Sequence, residues 1–184
     1  MAQRALVELA RSGDHEAFAS LVRDAAVRLD GAARLILHDP EAARDAVQDA
    51  LIRALRDLSG LRDPDRFDAW LHRLTVNACL DIARRRKRHV REVELTVIHG
   101  PIAADVGGAL ADRELLAEAL RRLDPEWRAL VVMHYYLGMP VPDVAAELGI
   151  PLGTAKSRLH RALESMRVVV DDDRLAAVAG GQAS

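Results

Sequence analysis

Asp-Pro dipeptides mark the starts of helices in this chain. They occur at Asp39-Pro40, Asp63-Pro64 and Asp124-Pro125, each ahead of a stretch with helical periodicity. An N-cap aspartate accepts hydrogen bonds from free helix amides, and proline already has the backbone angle of the first helical position. Asp14 is placed to cap another helix without a proline. Because two-residue alternation is scarce, we expect an all-α fold. The predicted helices are 2–11, 14–37, 40–58, 64–88, 109–123, 125–137, 142–148 and 152–168.

The composition limits both the core and the possible cofactors. Half of the 184 residues are hydrophobic but only 3% are aromatic, so the core must be aliphatic. The chain has no apolar run of membrane-spanning length, and its N-terminus does not resemble a secretory signal. Its single cysteine, Cys79, excludes an internal disulfide and a cysteine-cluster zinc site. We therefore expect a cytoplasmic protein with no direct membrane insertion, no metal and no cofactor.

A break in the helical pattern divides the chain into two parts. The stretch 89–108 contains two glycines near its end and a Gly-Pro pair, and it holds the one strand-like run, VELTVI at 93–98. Such a stretch is typical of a flexible linker. We predict two small helical domains, at 1–88 and 109–170. The linker between them is 89–108, and a disordered tail follows at 171–184.

Basic side chains cluster at two places, although the net charge is only −2. One cluster is the consecutive run Arg84, Arg85, Arg86, Lys87 and Arg88, and the other consists of Lys156, Arg158, His160 and Arg161. A single basic run can be an ordinary solvated helix end. Two such clusters on a nearly neutral chain favour binding to nucleic acid.

Residues 141–166 have the layout of a helix-turn-helix. Gly149 can supply the left-handed turn, and Ala145 is small where two helices must approach closely. The predicted apolar face of the second helix is Leu152, Ala155, Leu159, Leu163 and Met166. The predicted DNA face is Thr154, Lys156, Ser157, Arg158 and Arg161. A helix of this kind fits the major groove of DNA, although an ordinary surface helix hairpin is the plainer alternative.

The segment LDPEWRALVVMHYYLGMPVPDVAAELGIPLGTAKSRLHRALESMR resembles region 4 of the sigma-70 family, and IPLGTAKSRLHRA is its most specific part. Three segments of the first half independently resemble region 2: DHEAFASLVRDAA, DPEAARDAVQDALIRALRDL and FDAWLHRLTVNACLDIARRRKR. The likeness is greatest to the extracytoplasmic-function (ECF) group. It implies a sigma factor that binds core RNA polymerase and directs promoter recognition and melting.

The resemblance also implies three functional surfaces. Asp45, Gln48 and Asp49 would dock on the β′ clamp of the polymerase. The −10 element would be bound by Leu61, Arg73, Asn77, Arg84, Arg85 and Lys87. Among these, Asn77 would lie at a pocket for a flipped-out base, because an unstacked base needs a positioned site to hold it. The helix-turn-helix would read the −35 element.

The family pattern implies further partners and contains some departures. The polymerase β flap and an anti-sigma factor that covers both domains are expected partners. Leu61 stands where many relatives carry an aromatic residue. Pro140 and Pro142 occupy the start of the first helix of the helix-turn-helix, so its N-terminal cap is in question.

Two other classes of function compete with this interpretation. A stand-alone helix-turn-helix regulator would bind duplex DNA without polymerase, but residues 1–88 lack the strand–helix alternation of a receiver domain. An enzyme would need a catalytic constellation. The seven histidines are scattered without a metal-ligand motif, and no base is evident beside Cys79, so we predict that the protein is not an enzyme.

Overall fold

The computed structural model describes residues 3–92, called the first half below, and 108–181, called the second half. Within these ranges the chain is helical and has no strand, which confirms the all-α prediction. The helices are α1 (Gln3–Arg11), α2 (His15–Leu37), α3 (Pro40–Asp57), α4 (Phe67–Glu92), α5 (Gly108–Arg121), α6 (Pro125–Val131), α7 (Val141–Glu147) and α8 (Leu152–Gly181). Two 3-10 turns, Leu58–Gly60 and Pro64–Arg66, join α3 to α4, and a π-helical turn, Val132–Tyr136, continues α6.

The predicted aspartate caps are present. Asp14, Asp39 and Asp124 accept hydrogen bonds from amides in the first turns of α2, α3 and α6. Asp63 caps the 3-10 turn ahead of α4, because its carboxylate accepts from the Asp65 amide. By contrast, α7 follows Pro140 without a side-chain cap, as its two prolines suggested.

Alanines form the buried face of α3. Helical spacing alone predicts a core stripe of Val47, Leu51, Ala54, Leu55 and Leu58 on α3, but only Ala54 and Leu58 of this set are buried. The buried stripe instead consists of Ala42, Ala43, Ala46, Ala50 and Ala54. Alanine allows α3 to lie close to α2 and α4, and this close packing turns the larger aliphatic side chains towards the surface.

The last helix is longer than the sequence indicated. The prediction ended it at 168 and left 171–184 as a disordered tail, but α8 continues to Gly181. Alanine, leucine and arginine between 174 and 179 are good helix formers, which accounts for the continuation. The packed face is Ala155, Leu159, Ala162, Met166 and Val169, whereas Leu152, predicted to lie on it, is exposed at the first turn.

The two halves pack against each other. Helix α2 contacts α5, α6 and the π-helical turn, and α4 contacts α6. One apolar cluster includes Ile36 and Val76 of the first half and Leu130 and Met133 of the second. Residues 93–107, which hold most of the predicted linker and its strand-like run, lie outside the described residues.

Two further features limit the chemistry of the described residues. The Cys79 side chain is fully buried, and burial raises the pKa of its thiol to about 12, so the reactive thiolate is not formed at neutral pH. No helix in the described ranges combines the length and the apolar character that crossing a bilayer requires.

Candidate nucleic-acid and polymerase interfaces

The helix-turn-helix has the predicted geometry. Gly149 adopts a left-handed φ of 66° between α7 and α8. Ala145 and Ala155 are both buried where the two helices meet. The five residues predicted to contact the −35 element all lie in the first three turns of α8 and are exposed or half-buried: Thr154, Lys156, Ser157, Arg158 and Arg161. This part of α8 therefore presents polar and cationic side chains at the surface.

The basic run at the end of α4 is exposed and partly ion-paired. Arg84 lies 3.2 Å from Glu126, and Lys87 lies 3.3 Å from Asp124, so both contact carboxylates of the second half. Arg86 lies 2.6 Å from Asp39. The pKa of Asp39 is lowered, first by the hydrogen bond from the Ala42 amide and then by Arg86. Arg84, Arg86 and Lys87 must exchange these carboxylates to contact phosphates, whereas Arg85 and Arg88 are exposed without such a pair among the described residues.

A cavity of about 500 Å³, called the Trp70 cavity below, lies beside the turns that join α3 to α4. Its lining residues are Gly60, Leu61, Arg62, Asp63, Arg66, Ala69, Trp70, Arg73 and Glu147. Leu61 and Arg73 were predicted for the −10 contact, and Trp70 is 9% exposed within the apolar core. The Leu61 side chain is 7% exposed and belongs to the apolar core, so little of it is available to DNA. Asn77 is half-buried farther along α4 and does not line this cavity.

A second cavity, of about 430 Å³ and called the α3 groove below, lies on the outer side of α3. It is lined mostly by apolar side chains: Phe18, Asp30, Arg44, Val47, Gln48, Leu51, Ile52 and Leu55. Ile52 is 56% exposed and Leu55 is 45% exposed, and an exposed apolar patch with a polar rim is typical of a protein interface.

The predicted polymerase contacts fall only partly in this groove. Gln48 lines it, Asp45 is exposed on the same helix, and Asp49 forms an ion pair with Arg53 at 2.7 Å. Sequence reasoning missed the exposed aliphatic residues, because it assigned the leucines of α3 to the core. The alanine spacing in α3 was the signal that could have revealed them.

A buried arginine joins the two halves. The Arg128 guanidinium is almost fully buried and donates to four backbone carbonyl oxygens, those of Ile36, Leu120, Arg121 and Leu123. Burial lowers its pKa to about 10, so it remains a cation at neutral pH. Helix C-termini stabilise positive charge. Sequence reasoning missed this residue, and its one signal is a charge within an otherwise largely apolar stretch, 127–133.

His38 lies at the same junction, between α2 and α3. Its backbone is left-handed, with φ of 51°, and its amide closes the end of α2 by donating to the Arg34 carbonyl oxygen. Burial, followed by the charge of Arg128, lowers the pKa of the imidazole to about 4. The ring is therefore neutral at physiological pH. Its lowered pKa depends in part on the second half, which contributes the charges of Arg128 and Arg121.

Comparison with known proteins places both halves in one family. The family model for Sigma-70 region 2 matches residues 15–89, and the model for Sigma-70, region 4 matches residues 113–166. The chain is 40% identical over 154 residues to the ECF RNA polymerase sigma factor SigM of Mycobacterium tuberculosis, across 82% of this chain and 76% of that protein. It is 34% identical over 154 residues to the RNA polymerase sigma-E factor of Streptomyces avermitilis, across 84% and 83% of the two proteins.

A solved structure extends the likeness to the fold. CnrH, solved in complex with the cytosolic domain of CnrY, has a TM-score of 0.70 and 30% identity, across 94% of this chain and 99% of that one. The likeness therefore covers both halves, and a stand-alone helix-turn-helix regulator is not favoured, because region 2 occupies the first half. The family prediction made from the sequence motifs is confirmed. The chain belongs to the sigma-70 family and is an RNA polymerase sigma factor of the ECF group.

Proposed function

We propose that this sigma factor uses three separate surfaces: the α3 groove for polymerase, the Trp70 cavity with the end of α4 for the −10 element, and the outer face of α8 for the −35 element. The function itself follows from the family. An ECF sigma factor binds core RNA polymerase and directs promoter recognition and melting in transcription initiation. The assignment of surfaces and residues is the proposal.

The observation that carries the proposal is the exposed apolar surface of α3. Ile52 and Leu55 project from a helix that already buries its alanine face against α2 and α4. Because both side chains are already about half-buried, burying the rest of each against a partner contributes about 1 kcal/mol. The polar rim, with Arg44 and Gln48, would set the orientation of the partner, and Asp45 is exposed on the same helix. We assign this surface to the β′ clamp of the polymerase.

The Trp70 cavity has the chemistry of a site for a displaced base. Arg62, Arg66 and Arg73 surround the cavity with cations, whereas Trp70 is only 9% exposed and lies in the apolar core beside Leu61. The phosphates that flank a displaced base gain from nearby arginine, so the cations are the feature that supports this assignment. Asn77, one turn beyond Arg73 on α4, remains our candidate for the edge of the base, and Arg84, Arg85 and Lys87 remain candidates for phosphates beyond it.

The start of α8 is suited to duplex DNA. Arg161 is exposed and can reach base edges, whereas Lys156 and Ser157 can contact phosphates. Arg158 is half-buried and contacts Glu126 at 3.4 Å, so reading a base requires it to exchange partners. We assign this face to the −35 element and the rest of the second half to the β flap.

An anti-sigma factor is proposed as a further partner. CnrH was solved with the cytosolic domain of CnrY, and RpoE of Bartonella quintana was solved with the anti-sigma factor NepR. The alignment with CnrH over both halves supports a comparable regulator here. Because the partner polymerase and promoter DNA are cytoplasmic in bacteria, we propose that this chain acts there too.

Charge substitution in the α3 groove tests the polymerase assignment. The variant Ile52→Glu/Leu55→Glu should lose more than about tenfold in affinity for purified core polymerase, because two carboxylates would be buried against an apolar partner. Val27→Glu is the control for an added carboxylate, to be compared also with Ile52→Glu alone, since Val27 is an aliphatic residue of the same half that is 79% exposed outside the groove. Capture of core enzyme by the double variant at the level of Val27→Glu contradicts the assignment.

A further inference from the structure

Gly153 lies in the first turn of α8, although nothing within the described fold requires glycine there. The residue is exposed, and open space surrounds the position where a Cβ atom would stand. Its φ angle lies outside the left-handed range that favours glycine. Because glycine has more conformational freedom to lose on folding, it is less stable in a helix than alanine. The stability of α8 alone would therefore favour a larger residue at this position.

Other glycines of this chain do have a role inside the fold. Three of them adopt positive φ angles, namely Gly13, Gly138 and Gly149. A Cβ atom at Gly31 would overlap the hydroxyl group of Tyr136. Gly60 resembles Gly153, because it has neither a positive φ nor a close neighbour, and it lines the Trp70 cavity. Gly60 and Gly153 thus lack a side chain for no reason within the described fold, and both lie on surfaces that we assign to DNA.

Gly153 faces away from the core of the second half. Residues two positions apart in a helix are separated by about 200° around its axis, so Gly153 and Ser157 lie on the side of α8 opposite Ala155. Ala155 is fully buried, whereas Gly153 and Ser157 are exposed. The long side chains of Lys156 and Arg161 flank them on either side. Gly153 is therefore central to the outer face of α8, which we assign to the −35 element.

We propose that Gly153 is a positioning residue for −35 recognition, because its missing side chain lets the first two turns of α8 lie close to the DNA. The proposal rests on the assignment of this face to the −35 element. The short Ser157 side chain donates its hydroxyl to the Thr154 carbonyl oxygen of the same helix at 3.0 Å, so it reaches DNA only when the helix backbone is near. A side chain at position 153, one turn earlier on the same face, would hold the helix away from the groove.

The residues around Gly153 are compatible with such an approach. The first turn of α8 carries no acidic side chain, so it does not repel phosphates, whereas three other helices carry one there: Glu16, Glu41 and Glu126. Leu152, the residue before Gly153, is 40% exposed although helical spacing predicts it on the packed face. Apolar side chains in the major groove contact the methyl group of thymine. Close approach of DNA would therefore cover the Leu152 side chain.

Substitution of Gly153 tests the proposal, because stability and DNA binding should change in opposite directions. Alanine and leucine form helices better than glycine, and the position has open space. The Tm of full-length Gly153→Ala and Gly153→Leu, measured by circular dichroism, should therefore equal or exceed that of wild type, by up to about 3 °C. Ser165→Leu is the control, since it adds a similar side chain to an exposed position about 18 Å farther along α8.

Binding is measured with holoenzyme formed from purified core polymerase and each protein. The probes are a promoter fragment recovered by wild-type run-off transcription from a genomic library and the same fragment with a scrambled −35 element. The ratio of the two affinities reports −35 recognition. We expect Gly153→Ala to reduce this ratio about fivefold and Gly153→Leu more than about tenfold, because a helix held outwards moves Arg161 away from the base edges. Ser165→Leu should keep the wild-type ratio.

Two results would overturn the proposal. One is a wild-type ratio for Gly153→Leu, which would show that a side chain at this position does not meet DNA. The other is a Tm of Gly153→Ala below that of wild type, which would show that the fold itself requires glycine. A failure of the proposed function is distinct from both, because the wild-type holoenzyme would then bind the intact and the scrambled fragments equally.

Discussion

The Arg128 guanidinium donates a hydrogen bond to the Ile36 carbonyl oxygen and so joins the second half to the end of α2. It also donates to three carbonyl oxygens at the end of α5, those of Leu120, Arg121 and Leu123. Since these acceptors lie at or just beyond the C-terminal ends of α2 and α5, one cation donates to backbone groups of both halves.

Removing this cation should destabilise the protein strongly. We expect Arg128→Ala to lower the free energy of unfolding by about 3 kcal/mol, because buried carbonyl groups lose a charged donor. Urea denaturation followed by circular dichroism measures the change. The control is Arg121→Ala, which removes an exposed arginine paired with Glu118 and should cost less than about 1 kcal/mol. Equal losses for the two variants would show that the Arg128 contacts contribute no more than a surface pair.

Acidification should weaken the folded state through His38. Burial lowers the pKa of its imidazole from the ordinary 6.5 to about 4 in the folded protein, so the unfolded chain binds the extra proton first as the pH falls. Stability is therefore lost as the pH decreases from 6.5 towards 4. Between pH 7 and pH 5 the loss amounts to about 2 kcal/mol.

A His38→Asn variant isolates this contribution. Asparagine tolerates the left-handed backbone at this position but does not titrate. Chemical denaturation at pH 7 and pH 5 should show a smaller loss for the variant than for wild type. His72, whose pKa is also lowered by burial, contributes in the same direction to both proteins. Identical losses in the two proteins would mean that His38 is not buried as described.

The recognition helix should depend on Arg161. We expect Arg161→Ala to cost about 1–3 kcal/mol in promoter binding by holoenzyme if the side chain makes a bidentate base contact. Arg167→Ala, an exposed arginine later in α8, is the control. Competition between templates with intact and mutated −35 elements measures selectivity. Unchanged selectivity for Arg161→Ala argues against its assignment to base reading.

The −10 surface should act mainly after initial binding. We expect Asn77→Ala to reduce open-complex formation by about tenfold while leaving initial duplex binding nearly unchanged, because a flipped base gains its contacts only on melting. Permanganate reactivity of unpaired thymines reports melting, and filter binding reports the closed complex. An equal loss at both steps would place Asn77 outside the base site.

Local signals in the sequence predicted most of the secondary structure. The caps at Asp14, Asp39 and Asp124 and the left-handed Gly149 are set by neighbouring residues, so they could be identified without tertiary contacts. The end of α8 was missed, because 171–184 was interpreted by its position at the terminus and not by its helix-forming residues.

The contacts between the halves could not be predicted in the same way. The alanines of α3 recur at helical spacing and mark its buried face, but the larger aliphatic residues also form an apolar stripe, and how close α2 and α4 lie decides between the two faces. The pairs of Arg73 with Glu147 and Arg84 with Glu126 join residues distant in sequence, and each member alone is typical of a solvated helix. Motif resemblance identified the family, whereas only the packed chain shows these pairings.

Transcription by reconstituted holoenzyme tests the central claim most directly. Purified core polymerase is incubated with a genomic promoter library, with and without this protein, and the 5′ ends of the transcripts are sequenced. We predict that the protein directs core enzyme to a limited set of start sites that share −10 and −35 elements, and that Ile52→Glu/Leu55→Glu abolishes this set. Start sites that are the same with and without the protein would contradict the account.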